Sequence, residues 1–171
     1  RGLDKNHIQR LADGKYITQN ENILITGPTG TGKSFLASAL GHQACGQRFK
    51  VLYANATRLF AQLKMAKADG SAIREFAKIE KQDLFILDDF GIQPFDQASR
   101  TSLLEILEDR HGKRSIIITS QLPVKQWYEV IGEKTVADAI LDRILHHAQR
   151  IELKGESLRK NQHKKSEDNN E

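Results

Sequence analysis

Eight residues, Gly27-Pro28-Thr29-Gly30-Thr31-Gly32-Lys33-Ser34, place glycines, a lysine and a hydroxyl at the spacing G-x-x-x-x-G-K-[ST]. Glycines let a backbone curl around an anion with its N–H groups pointing inward, and a helix starting at the lysine adds partial positive charge at the same point. The ligand suited to that concavity is a polyphosphate. Lys33 would reach the β- and γ-phosphates as a point charge, and the Ser34 hydroxyl would ligate the magnesium that bridges them. Phe35, next in the chain, is counted with the loop as a nucleotide-binding position.

Two carboxylates form the second chemical element. Leu84-Phe85-Ile86-Leu87 runs straight into Asp88-Asp89, and open α/β sheets place their ligands at the carboxyl ends of strands. In this Walker B arrangement Asp88 would hold the magnesium through water, and Asp89 would orient or deprotonate the water attacking the γ-phosphate. The third element is Thr119-Ser120-Gln121. In P-loop ATPases whose fourth strand lies between the other two site strands, a polar side chain here, Ser120 or Gln121, reaches the γ-phosphate or the water; the alternative is a capped turn before Pro123. The fourth is Arg143, off the apolar face marked by Ala137, Leu141 and Ile144, and so directed at solvent or a neighbouring subunit. An arginine finger supplied in trans is worth ~10³-fold or more in rate. Other candidates are weaker. His146 and His147 are adjacent and should point to different sides of a helix rather than pair on a metal. Trp127 and Tyr128 read as packing residues.

These groups need a scaffold, and the flanking patterns provide one. Asn22-Ile23-Leu24-Ile25-Thr26 is a short β-branched run before the loop, and Leu36, Ala37, Leu40 and Ala44 recur at helical spacing after it, fading near Gly46. Val51-Leu52-Tyr53-Ala54 reads as strand two, and Leu84 to Leu87 as a strand buried on both faces of a parallel sheet. Between them lie two helices, one with Leu59, Phe60 and Leu63 inward, the other carrying Ile73, Phe76 and Ile79. Asp96 can cap a helix whose inner stripe is Leu103, Leu104 and Leu107, with Gly112 past its end. Ser115 to Thr119 is strand four, Ala137 to Leu145 a further helix, and Arg150 to Lys154 a fifth, half-exposed strand. Strands alternating with helices predict a wound parallel α/β sheet. A short entry helix over Leu3 to Leu11, ended by Gly14, precedes it. The divisions expected are an entry helix and linker over 1–22, an ATPase core over 23–154, and a largely disordered tail over 155–171.

The 171 residues suit one domain. A net charge of +4 permits a nucleic-acid partner without requiring one. Cys45 is the single cysteine, which excludes an intrachain disulfide and a zinc knuckle; its place in the helix after the loop predicts a buried thiol, and the cytoplasm is the expected compartment. No apolar run approaches the ~18 residues of a membrane span. The chain begins at Arg1 rather than methionine, as a piece of a longer protein would.

With these elements placed, the chain resembles an AAA+ ATPase of the IstB and DnaC branch. The resemblance is carried by Gly27 to Ser34, by Leu84 to Gly91 with its Asp-Asp-Phe-Gly, by Ile118 to Pro123, by Leu141-Asp142-Arg143-Ile144-Leu145-His146-His147, and by Gly155-Glu156-Ser157-Leu158-Arg159. The last two runs are closer to IstB, the insertion-sequence transposition helper, than to DnaC, the replicative helicase loader. The resemblance implies a P-loop NTPase with an AAA+ type five-stranded parallel sheet and no C-terminal lid domain, since the residues after Lys154 fall well short of the ~40 that hold a bundle together. It also implies ATP and Mg²⁺ as cofactors and assembly into a spiral or ring on DNA. ATP would lie between neighbours with Arg143 completing the next subunit's site, and the partner would be a transposase or, alternatively, a replicative helicase. The helices between strands two and three would line the DNA path, with Arg58, Lys64, Lys67 and Arg74 as phosphate contacts. Two departures stand out: Asp89 replaces the glutamate of many AAA+ proteins, and Gln121 an asparagine frequent in IstB-like chains. Arg159 is a weak second-sensor candidate. A P-loop small-molecule kinase would share the loop, yet no Arg-bearing lid insertion stands out after strand three. A module using ATP only to assemble would not need Lys33, Ser34, Asp88 and Asp89 all intact.

Overall fold

The computed structural model describes residues 3–158. Five strands, β1 (Asn22–Thr26), β2 (Val51–Asn55), β3 (Leu84–Asp88), β4 (Ser115–Ser120) and β5 (Ala148–Glu152), form one sheet in the order β2-β3-β4-β1-β5. Every pairing is parallel. The helices are α1 (Lys5–Ala12), α2 (Lys15–Thr18), α3 (Lys33–Gly46), α4 (Ala56–Asp69), α5 (Ala72–Glu80), α6 (Gln97–Arg110), α7 (Trp127–Ile131) and α8 (Lys134–Leu145). Among the described residues no helix is long and apolar enough to cross a membrane.

The unbroken apolar runs of β1, β3 and β4 follow from helices on both faces of the sheet. Side chains alternate between faces along a strand. Leu24, Phe85, Leu87, Ile116 and Ile118 meet one core, built with α4 to α8; Ile23, Ile25, Leu84, Ile86 and Ile117 meet the other, built with α1 to α3. β4 lies between β1 and β3, so the end of the P-loop strand and the end of the Asp-Asp strand both border Thr119 and Ser120. The amino end is fastened by Asn22, which donates to Ile144 O at 3.1 Å and accepts from Ile116 N at 3.1 Å. Arg110, 1% exposed, donates to carbonyls of Ile79, Gln82 and Ser115 at 2.7–2.9 Å, tying α6 to the end of α5 and the start of β4. Burial lowers its pKa to about 10, so the guanidinium stays charged.

Several local expectations are corrected. β5 begins two residues early, at Ala148, because pairing with β1 from Asn22↔Ala148 to Thr26↔Glu152 fixes its register. α1 starts at Lys5, capped by Asp4, leaving Leu3 outside and 42% exposed; Gly14, left-handed at φ 76°, turns the chain into α2, which the pattern did not predict. Ile73 is 87% exposed while Phe76 and Ile79 are buried, because α5 packs from its second turn onward. Cys45 is exposed: it follows Ala44 and so stands 100° off the stripe of Ala37, Leu40, Gly41 and Ala44 that faces the sheet.

Candidate functional site

The P-loop is held open by backbone that a side chain would block. A Cβ at Gly27 would stand 2.5 Å from Leu153 O, and one at Gly30, where φ is +80°, would stand 2.2 Å from Ser157 Oγ. Within the loop the Thr31 hydroxyl donates to Pro28 O at 2.8 Å, and Lys33 Nζ donates to the same carbonyl at 2.9 Å. Lys33 is only 5% exposed. Burial lowers its pKa, and the nearby Asp89 and Asp88 oppose that shift. The ammonium therefore lies in the concavity with one neutral acceptor, which phosphate oxygens can replace at a gain of charge pairing.

Asp88 is the hub. It is 2% exposed. Ser34 Oγ donates to its Oδ1 at 2.9 Å, the Thr119 hydroxyl donates to Oδ1, and the Tyr53 phenol donates to Oδ2. Burial and the bond to Asp88 hold the Tyr53 phenol well above its ordinary pKa. The convergence of a hydroxyl and a carboxylate beside the loop is an oxygen donor set of the kind a hard cation takes, so the residues fit magnesium. Asp89 adopts a left-handed backbone at φ 59°, costly for most residues and tolerable for aspartate. Thr119 stabilises it twice: Asp89 N donates to Thr119 Oγ1 at 3.0 Å and Phe90 N donates to Thr119 O at 2.8 Å. Phe90, fully buried against Phe95 and Trp127, anchors the turn. Asn55 Nδ2 donates to Asp89 Oδ2 at 3.4 Å.

The resulting cleft, about 400 Å³, is lined by Thr29, Gly30, Gly32, Lys33, Ser34, Phe35, Asp89, Ile92, Gln121 and Leu158. Gln121 is thus brought to the loop. Ser120 is not. It is fully buried, its hydroxyl donating to Phe90 O at 2.6 Å and accepting from Leu122 N at 3.1 Å, so it braces the turn between β4 and α7. Thr119, Tyr53 and Asn55 were missed as site residues. Thr119 had a signal, a hydroxyl ending an isoleucine run; the other two sit in a strand whose neighbour the sequence does not reveal. The chain after β5 crosses the loop, Leu158 N donating to Gly30 O at 2.9 Å. The second-sensor candidate Arg159 and most of the expected tail lie outside the described residues.

Arg143 lies at the other end of the sheet. Its carbonyl neighbours Asn22 Nδ2 at the start of β1, whereas the P-loop leaves the end of that strand, about 13 Å away at ~3.3 Å per residue. The side chain is also not free: Nη1 donates to Ala139 O at 2.9 Å and Nη2 to Glu108 Oε1 at 3.3 Å. It borders a separate cavity of about 240 Å³ with Arg110, His111 and His146. His146 and His147 follow the end of α8, and their rings meet edge-on at 4.3 Å rather than pointing apart. The four proposed phosphate contacts form no single stripe. Arg58 and Lys67, separated by about two and a half turns, stand on opposite sides of α4. Arg58 stands close enough to oppose the rise in the Tyr53 pKa, Lys64 faces Asp96 at 3.9 Å, Lys67 lies over the Phe76 ring at 5.6 Å, and Arg74 is exposed near the α4–α5 turn.

The family described as IstB-like ATP binding protein matches residues 1–166. The chain belongs to that family. An insertion-sequence ATP-binding protein of Sinorhizobium fredii is 53% identical to this IstB-like chain over 166 residues, covering 97% of it and 68% of the relative. Other curated relatives are spanned less fully, down to 53% of their length. Among solved structures, DnaI superposes with a TM-score of 0.77 at 22% identity, covering 89% of this chain and 87% of that one. The DnaC helicase loader gives 0.75 at 17%, covering 87% of each. At those identities the likeness is one of fold.

Proposed function

We propose that the protein binds ATP with magnesium in the cleft between the ends of β1 and β3, hydrolyses it, and does so as an assembly on DNA that helps a transposase select its target. The observation carrying the ATPase reading is the meeting of Ser34, Asp88 and Lys33 at one point, with Asp89 and Gln121 on the wall of the same cleft. Lys33 exchanges Pro28 O for phosphate oxygens. Ser34 and Asp88 would hold the magnesium, which would supply neutralisation of phosphate charge when bound. Asp89 and Gln121 orient the attacking water, the shorter aspartate working through an ordered water where glutamate would reach further. Arg143, too far to serve its own cleft, serves a neighbour's.

An insertion-sequence relative at 53% identity supports the transposase partner, whereas the helicase-loader alternative has a likeness of fold behind it. On the DNA side, the exposed Lys67 and Arg74 on the paired helices would be phosphate contacts. The test is steady-state ATP hydrolysis against protein concentration, with and without duplex DNA, for the parent and Arg143→Ala. The expected result is a specific activity that rises with concentration and DNA and falls by about 10³-fold in the variant. A rate indifferent to concentration, DNA and Arg143 would overturn the shared-site reading and leave a self-contained P-loop enzyme.

A further inference from the structure

The three hydroxyls on Asp88 come from three separate elements, and two of them have evident reasons to be there. Ser34 belongs to the P-loop motif, and Thr119 also braces the backbone of Asp89. Tyr53 has neither reason. It sits in β2, at the edge of the sheet, with its Cα opposite Ile86 rather than Asp88. The residue is 48% exposed, so its ring contributes little to either core, yet its hydroxyl is delivered to a carboxylate that is 2% exposed. A phenylalanine would serve packing equally well; the oxygen is the informative atom.

A carboxylate turns readily about its last bond, because that torsion is broad rather than confined to staggered wells. Asp88 has Ser34 and Thr119 on Oδ1 and Tyr53 on Oδ2. Once Ser34 turns away toward a metal, Oδ1 keeps only the Thr119 donor of these two, and one donor does not fix the plane of a carboxylate. A second donor on the other oxygen does. The rigid phenol, reaching from a strand that the P-loop does not belong to, supplies it.

We propose that Tyr53 is a positioning residue for magnesium, fixing the plane of Asp88 so that Oδ1 stays directed at the metal's shell after Ser34 has left it. This rests on the reading of Asp88 as the residue that holds magnesium. Partners of this kind, bonded to a ligand rather than to the metal, change metal affinity by roughly 10–100-fold when removed.

The experiment is a titration with Mn²⁺ followed by electron paramagnetic resonance, on protein saturated with a non-hydrolysable ATP analogue, for the parent, Tyr53→Phe and Asp88→Asn. Tyr53→Phe is expected to weaken Mn²⁺ by about tenfold. In EDTA its affinity for the analogue stays within about twofold of the parent, because the P-loop is untouched. In steady-state hydrolysis the half-saturating Mg²⁺ rises by a similar factor, while the rate at saturating Mg²⁺ is retained. If Asp88→Asn weakens Mn²⁺ and Tyr53→Phe does not, the assignment of Tyr53 is wrong and the reading of Asp88 survives. If neither variant weakens it, Asp88 does not hold the metal and both fall. A loss of analogue affinity in EDTA would mark Tyr53 as a packing residue and likewise overturn the proposal.

Discussion

Replacing Thr119 with valine tests how the acidic turn is held together, because the change removes one hydroxyl and nearly preserves shape. That hydroxyl is fully buried, donates to Asp88 and accepts from Asp89 N at 3.0 Å. Valine deprives a buried carboxylate of a donor and leaves the Asp89 N–H without its acceptor. A hydrogen bond to a charged group is worth about 1.5–3 kcal/mol and an unpaired buried polar group costs about 1–3 kcal/mol. Asp88 retains Ser34 and Tyr53, and Asp89 is only partly buried, so the sum belongs near the low end of the combined range, at about 3 kcal/mol. The assay is equilibrium unfolding in urea, nucleotide-free and in EDTA, for the parent, Thr119→Val and Thr119→Ser. With a slope of about 2 kcal/mol per molar, the valine midpoint falls by about 1.5 M. Serine, which keeps the hydroxyl, should lose less than half of that. A valine variant within about 0.5 kcal/mol of the parent, or a serine variant as damaged as valine, would refute the reasoning, the first by showing the bonds to be worthless and the second by showing that the methyl group matters instead. With the left-handed backbone of Asp89 released, ATP turnover should fall further than stability alone explains.

Two other outcomes follow from single positions. Gly30→Ala places a methyl group 2.2 Å from Ser157 Oγ at a φ of +80°; the left-handed strain of about 1–2 kcal/mol corresponds to roughly tenfold weaker binding of a fluorescent ATP analogue, and unchanged affinity in a titration would show that nucleotide binding does not depend on the left-handed turn at Gly30. Asp96 caps α6, and its carboxylate is held below the usual range by the hydroxyl and backbone N–H of Ser99. A lowered folded-state pKa means a contribution complete above the unfolded value near ~3.9 and lost as pH falls through the folded one. Urea midpoints of the parent and Asp96→Asn should therefore differ at about pH 6 and converge as the pH drops below about 4; a gap that is constant with pH would assign the cap to geometry alone.

The sequence by itself determined much of what depends on neighbours in the chain. The P-loop could be read from eight consecutive residues because its cradle is made of its own backbone. Strands β1, β3 and β4 could be read because burial on both faces leaves no polar position in the run, and the place of Asp88 and Asp89 because they end such a run. What the chain could not disclose was which strand stands beside which, and the rest of the site depends on that. The order β2-β3-β4-β1 brings Tyr53 and Thr119 to the same carboxylate from either side of β3, residues 35 and 31 positions away with no spacing rule to connect them. The same packing buried Ser120 in a turn where a catalytic hydroxyl was expected and set Arg143 a strand's length from its own cleft. A helical period gives the side of a helix that is buried, but not where burial begins, so Ile73 and Cys45 were misplaced by one turn and by one residue. Spacing along the chain fixes local geometry; contact between distant segments is fixed by how the sheet is stacked, and that is settled by the packing of both cores at once.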